Sequence, residues 1–169
     1  MISRRGAGFT LLELIVVMAL MGIVFFFAAP RFEGSALFDD AKQGSRWLIG
    51  KLQSLKEEAV RTRRQHVLVF DLDTKRVWSA AESMRVEEIE LAMRRAQPIP
   101  GGARVVGVEF PPDTRIVSGR AEIRFYADGH SDKALIHLQY GESVSSFLLE
   151  PFLTQVKTFD SRVGFNDLR

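Results

Sequence analysis

One stretch limits what this chain can become more than any other. From Phe9 to Ala29 the sequence reads FTLLELIVVMALMGIVFFFAA, twenty-one residues interrupted only by Thr10 and the acid Glu13 near its start. As a helix rising 1.5 Å per residue it spans about 31 Å, close to the thickness of a bilayer's hydrocarbon core. Residues 9–29 are therefore expected to form a single transmembrane helix. Arg4 and Arg5 precede it, and the positive-inside tendency keeps that end in the cytoplasm and sends everything after Arg31 across. A charged side chain at the centre of such a helix costs roughly 2.5–3.5 kcal/mol, so an intramembrane acid marks a candidate functional residue. Glu13 is that candidate.

With the apolar segment set aside, about 140 residues remain, enough for one small globular domain. The formal charge of the 169-residue chain is only +2. Because Arg4 and Arg5 supply much of it, the body is nearly balanced and does not read as a strongly basic nucleic-acid binder. Cysteine is absent, which rules out a disulfide, a thiolate metal site and a cysteine nucleophile.

Three readings compete for the N-terminus. A cleaved secretory signal calls for an apolar stretch of 7–15 residues and a small-x-small cleavage site. Here FFFAAP places a phenylalanine at the third position before the candidate cut and a proline just after it. A plain uncleaved anchor accounts for the length and the arginines but gives Glu13 no purpose. The third reading rests on resemblance. Gly8-Phe9-Thr10-Leu11-Leu12-Glu13, with basic residues before it and a long apolar run after it, resembles the class III signal of type IV pilins and type II secretion pseudopilins. The resemblance implies that a prepilin peptidase cuts after Gly8 and methylates the new terminus at Phe9. It also implies that Glu13, five residues into the mature chain, pairs with the amine of a neighbouring subunit and fixes the register of a filament. A carboxylate in the first turns of a helix is favoured by the helix dipole as well, by roughly 0.3–1 kcal/mol.

Pro30 follows the apolar run and is expected to kink the helix by removing a backbone hydrogen bond. Beyond it, Leu37, Ala41, Leu48, Leu52, Leu55 and Ala59 recur on one face of an amphipathic helix that should pack on a domain. Gly44 and Gly50 each weaken that helix by about 1 kcal/mol relative to alanine and suggest local bending. HVLVFDLDTKRVWSA reads as a hairpin turning at Asp73-Thr74. AESMRVEEIELAMRRAQ puts Val86, Ile89, Met93 and Ala96 on one helical face, and PIPGGARVVGVEFPP supplies a strand between proline and glycine stops. In AEIRFYADGHSDKALIHLQYG, Ile123, Phe125 and Ala127 alternate with Glu122, Arg124 and Tyr126, and Ala134, Ile136 and Leu138 with Leu135, His137 and Gln139. Two antiparallel strands joined by the DGHSDK loop are expected there. VSSFLLEPF adds a strand stopped at Pro151, while KTFDSRVGFNDLR is weakly patterned.

The predicted fold is α+β: a long N-terminal helix, transmembrane in its first half and amphipathic in its second, packed on an antiparallel β-sheet domain. The expected organisation is a leader over residues 1–8, the membrane helix over 9–29, its amphipathic continuation over 30–64 and a globular domain over 65–169. Several downstream stretches, from DDAKQGSRWLIGKLQSLKEEAVRTRRQHVLVFDLDTKRVW through PIPGGARVV to IRFYADGHSDKALIHL, resemble the minor pseudopilin of the H class. The resemblance thins after Glu150.

Nothing in the pattern calls for catalysis, a metal or a cofactor. His66, His130 and His137 are far apart and read as surface histidines. Asp128-Gly129-His130-Ser131-Asp132 lacks the spacing of a calcium loop and reads as a hairpin loop. Asp39-Asp40 and Glu57-Glu58 read as solvated helix faces. Arg61, Arg63 and Arg64, together with Arg94 and Arg95, are interleaved with acids and read chiefly as a solvated surface, although the first three could form a basic patch for phosphates. The resemblance implies a non-catalytic subunit of a secretion filament, single-pass in the inner membrane with its C-terminal domain in the periplasm. Its partners would be other pseudopilins, the prepilin peptidase and the membrane. The alternatives are a minor type IV pilin for adhesion, twitching or DNA uptake, and a membrane-anchored binding domain that never polymerises.

Overall fold

The computed structural model describes residues 10–112, 114–153 and 155–168, with the side chains of residues 26–41 outside the description. Helix α1, Leu11–Thr62, comes first. It is followed by strands β1 (His66–Asp71) and β2 (Arg76–Ala81), helix α2 (Val86–Arg94), and strands β3 (Arg104–Phe110), β4 (Thr114–Ile116) and β5 (Arg120–Phe125). Strands β6 (Ala134–Tyr140), β7 (Ser143–Leu149) and β8 (Lys157–Phe159) complete the order. The fold is α+β and pilin-like in arrangement, a long N-terminal helix followed by antiparallel sheets. The chain divides into two compact units, Met1–Asp39 and Asp40–Arg169, and the division falls within α1.

In the larger unit the amphipathic stripe expected of α1 is buried: Leu48, Leu52, Leu55 and Ala59 all belong to the main core. Leu37 and Ala41, read on the same stripe, lie outside the described side chains. Facing residues come from two sheets, a three-stranded one ordered β2-β1-β5 and a five-stranded one ordered β4-β3-β6-β7-β8. Leu68 and Phe70 of β1, Ile123 and Phe125 of β5, Val108 of β3, Ile136 of β6 and Phe147 of β7 fill the centre.

Gly44 corrects a simple propensity argument. Far from only weakening the helix, it lets α1 approach the turn before β3: a methyl group there would lie 2.7 Å from Ala103 Cβ and 3.1 Å from the Pro100 carbonyl oxygen. That turn passes through Gly101 and Gly102 at φ 72° and 69°, a left-handed geometry that favours glycine.

The expected hairpin forms between β1 and β2, from His66 opposite Ala81 to Asp71 opposite Arg76. Asp71 fastens the turn by accepting the Thr74 N–H at 2.8 Å. That bond, with the guanidinium of Arg120 beside it, holds the Asp71 carboxyl below its usual range. Helix α2 packs on β2 through a small cluster in which Ala92, Met93 and Ala96 meet Trp78 and Val69. Val86, expected on the same face, is instead 69% exposed, since the contact with the sheet runs through Ala92, Met93 and Ala96 at the other end of the helix.

The second expected hairpin does not form. β5 pairs with β1, whereas β6 lies between β3 and β7 in the other sheet. After a tight turn through Gly129 at φ 90°, hairpin-like contact survives only as a single bridge between Phe125 and Ser131. The Ser131 N–H then donates to the Pro151 carbonyl at 3.1 Å, and the chain crosses over. The burial patterns give the reason. β5 alternates strictly, with Glu122 and Arg124 open to solvent, whereas the first five residues of β6 are all buried. A strand covered on both faces belongs in the middle of a sheet.

The two helix glycines should respond oppositely to a methyl group. Gly44→Ala should destabilise the larger unit by about 1–3 kcal/mol through overpacking, outweighing a propensity gain of about 1 kcal/mol. Gly50 has nothing within 4 Å of its virtual methyl, so Gly50→Ala should stabilise by up to about 1 kcal/mol. Thermal unfolding of the two variants checks the pair of signs.

Candidate functional site

The first described turn is built from the chain's polar exceptions. Thr10 precedes α1 and its Oγ1 accepts the Glu13 N–H at 3.3 Å, satisfying one of the open amides at the helix start. Thr-x-x-Glu is the spacing of a capping box. Glu13 thus stands in the first turn, where the helix dipole favours its charge. Its neighbours are exposed throughout: Leu11 is 81% and Phe25 70% accessible, and the residues between them are open as well.

Among the described residues no helix is long and apolar enough to cross a membrane. The apolar side chains described, residues 11–25, cover about 22 Å of axis, and the span expected over residues 9–29 continues past them at both ends. Gly8 and Phe9 lie outside the described residues. The α1 backbone continues helically through Pro30, whose side chain is not described.

Arg61, Arg63 and Arg64 gather where α1 ends. Arg61 pairs with Glu58 at 2.6 Å, Arg63 carries a left-handed φ of 52° at the helix exit, and Arg64 Nη1 donates to Ser83 Oγ at 3.0 Å. Arg63 and Arg64 line a shallow cleft of about 430 Å³ with Tyr126, but Glu82 lines it too, which weakens its attraction for phosphate. Such exposed pairs contribute a few tenths of a kcal/mol to about 1 kcal/mol.

Nearby, the imidazole of His130 stacks on Tyr126 with centroids 4.2 Å apart and its Nδ1 pairs with Asp128. The His130 backbone N–H is the leading cause of a lowered Asp128 pKa. Burial, aided by the hydrogen bond to Asp132, pushes the Tyr126 phenol up. Lys56 Nζ donates to the carbonyls of Pro151 and Leu153 at 3.0 and 2.9 Å, and burial lowers its pKa.

His137 overturns the surface expectation. It is fully buried, with Nε2 3.0 Å from Glu109 Oε1 and Nδ1 3.1 Å from Ser146 Oγ. Ser146, also fully buried, donates to the Ser161 carbonyl at 2.8 Å and accepts the Val163 N–H at 3.1 Å. The weakly patterned C-terminal segment thereby covers the sheet face that the alternation left for solvent. A serine, a histidine and an acid in line resemble a hydrolytic relay, but this hydroxyl is enclosed and bonded to backbone on both sides, which suits holding a segment rather than attacking a substrate. The only advance signal was the buried-looking run ALIHL around His137. Among the described residues no group of three His, Cys, Asp or Glu side chains is placed to hold a metal ion.

A family model described as the prokaryotic N-terminal methylation motif matches residues 3–29. The chain carries a type IV pilin-like prepilin signal, which supports the pilin and pseudopilin superfamily and implies processing by a prepilin peptidase. No curated protein and no solved structure matches the chain.

Two of the histidines should separate cleanly under substitution. His137→Ala removes a buried partner from both Glu109 and Ser146 and leaves a cavity, for a loss of about 2–4 kcal/mol. His66→Ala touches a half-exposed ring bonded to Thr62 and should cost under about 1 kcal/mol. Denaturant midpoints of the two variants give the comparison.

Proposed function

We propose that this chain is a non-catalytic minor pseudopilin of a type II secretion system. It enters a short periplasmic filament anchored in the inner membrane by residues 9–29, with residues 65–169 in the periplasm. The observation that carries this reading is the prepilin signal over residues 3–29, with Gly8 as the cleavage point, Phe9 as the methylated terminus and Glu13 five residues into the mature chain. Superfamily members are structural rather than catalytic, and the α+β arrangement agrees with them.

Cleavage gives Glu13 its purpose. The new amine at Phe9 is a cation in apolar surroundings, where an unpaired charge costs several kcal/mol. When helices stagger side by side, the carboxylate of one subunit meets the amine of the next. A wrong register strands both charges, so the pair selects the axial position. The Thr10 cap and the helix dipole hold the turn that presents the acid, and Pro30 gives the helix a place to bend where it leaves the membrane. A role in nucleic-acid uptake draws less support, since Glu58 and Ser83 engage Arg61 and Arg64 and Glu82 shares their cleft.

Deleting the gene in its native cell separates the two filament roles. The proposal expects loss of protein secretion across the outer membrane, with twitching and transformation intact. Secretion unchanged while twitching or transformation is lost would assign the chain to a pilus instead.

A further inference from the structure

The segment covering the five-stranded sheet is held by an unusually specific point. Beyond β8, which contributes three residues to the sheet, the side-chain fastening of residues 160–164 to the sheet runs through Ser146: its Oγ bonds Ser161 O at 2.8 Å and Val163 N at 3.1 Å. A hydroxyl has one proton to donate and two lone pairs with which to accept. Here the proton goes to Ser161 and one lone pair takes Val163. His137 Nδ1, 3.1 Å away, can bond to the remaining lone pair only by donating. His137 Nε2 faces Glu109 Oε1 at 3.0 Å, and an ionised carboxylate only accepts, so Nε2 donates too. Arg115 Nε lies 3.6 Å from the same oxygen and pairs with it.

We propose that Glu109, His137 and Ser146 form a proton-operated clasp for the C-terminal segment, closed when the His137 imidazole carries both ring protons. Loss of the Nδ1 proton turns that nitrogen into an acceptor. The Ser146 hydroxyl then swings its single proton to Nδ1 and releases the Ser161 carbonyl, leaving the segment fastened through Val163 alone. Around the ring, β3 supplies Glu109 and Gly107, whose virtual methyl is 3.6 Å from His137 Cδ2. β4 supplies Arg115, β7 supplies Ser146, and the segment itself brings Gly164, which lies between the carboxylates of Glu109 and Asp167.

The sign follows from the proton count. The closed clasp binds one more proton than the open one, so it is favoured at low pH and weakened as pH rises. Opening loosens Phe159, Phe165 and Leu168, which together with Pro112, Lys133 and Leu148 line a cleft of about 320 Å³. The inference concerns the globular unit and does not depend on the secretion reading.

Hydrogen exchange of the full chain in detergent micelles, followed by mass spectrometry, tests it. The readout is the protection of peptides covering residues 157–168 at pH 6 and pH 8.5, corrected for intrinsic exchange and compared with peptides from β6 and β7. Wild type should lose protection roughly fivefold at the higher pH, the effect of about one hydrogen bond. Ser146→Ala should be poorly protected and insensitive to pH, and His137→Gln should be insensitive as well, which serves if the first variant does not fold. Equal wild-type protection at both pH values would overturn the clasp, as would an undiminished pH response in the variant tested.

Discussion

The burial of one stripe of α1, Leu48, Leu52, Leu55 and Ala59, against two separate antiparallel sheets is the contact on which the globular unit depends. Each of these side chains contributes on the order of 1.5–3 kcal/mol when removed from water, less for the alanine. The stripe works because the helix can come close, and it comes close because Gly44 has no side chain where Ala103 and the Pro100 carbonyl lie. The same helix carries the prepilin signal at its start, so one element supplies both a core and a candidate assembly surface.

The two ends of that helix follow different physical logic. In the larger unit the apolar residues of α1 are covered by the protein's own sheets. In the first unit they are exposed from Leu11 to Phe25, far more apolar surface than a chain in water leaves open without a use for it. A bilayer and neighbouring helices of the same kind would cover it. In that setting the cost of an unpaired charge rises, and under the proposed function Glu13 would gain a capacity to discriminate between registers that it would lack in water.

Much of this was legible in the sequence where a single periodicity ruled. The stripe of α1, the β1–β2 hairpin and the strands β3 and β7 follow from spacing and turn residues alone. Sequence and structure part where long-range cover overrides a local pattern. ALIHLQY was split by alternation into an inner and an outer face, but its outer face, Leu135 and His137, is buried beneath a C-terminal segment whose own sequence gives no periodic signal. For the same reason the alternation reads His137 as a surface residue. The loop around Gly129 does contain turn chemistry, yet no turn residue can reveal that the next strand joins a different sheet. The candidate processing site was legible because its motif is contiguous, whereas the His137 clasp joins residues from β3, β6, β7 and the C-terminal segment.

Pairing between Glu13 and a neighbour's amine is the central claim, and crosslinking in membranes tests it most directly. Glu13→Gln should leave insertion and peptidase cleavage largely intact, because the amide is easier to bury than the acid and still fits the helix start. Removing one partner of a buried ion pair costs about 3–5 kcal/mol, so the cleaved variant should crosslink to its partner subunits two to three orders of magnitude less than wild type. A role confined to the helix dipole predicts a loss under about 1 kcal/mol. Wild-type levels of crosslinked, cleaved Glu13→Gln protein would contradict the account and leave the N-terminus as a plain anchor.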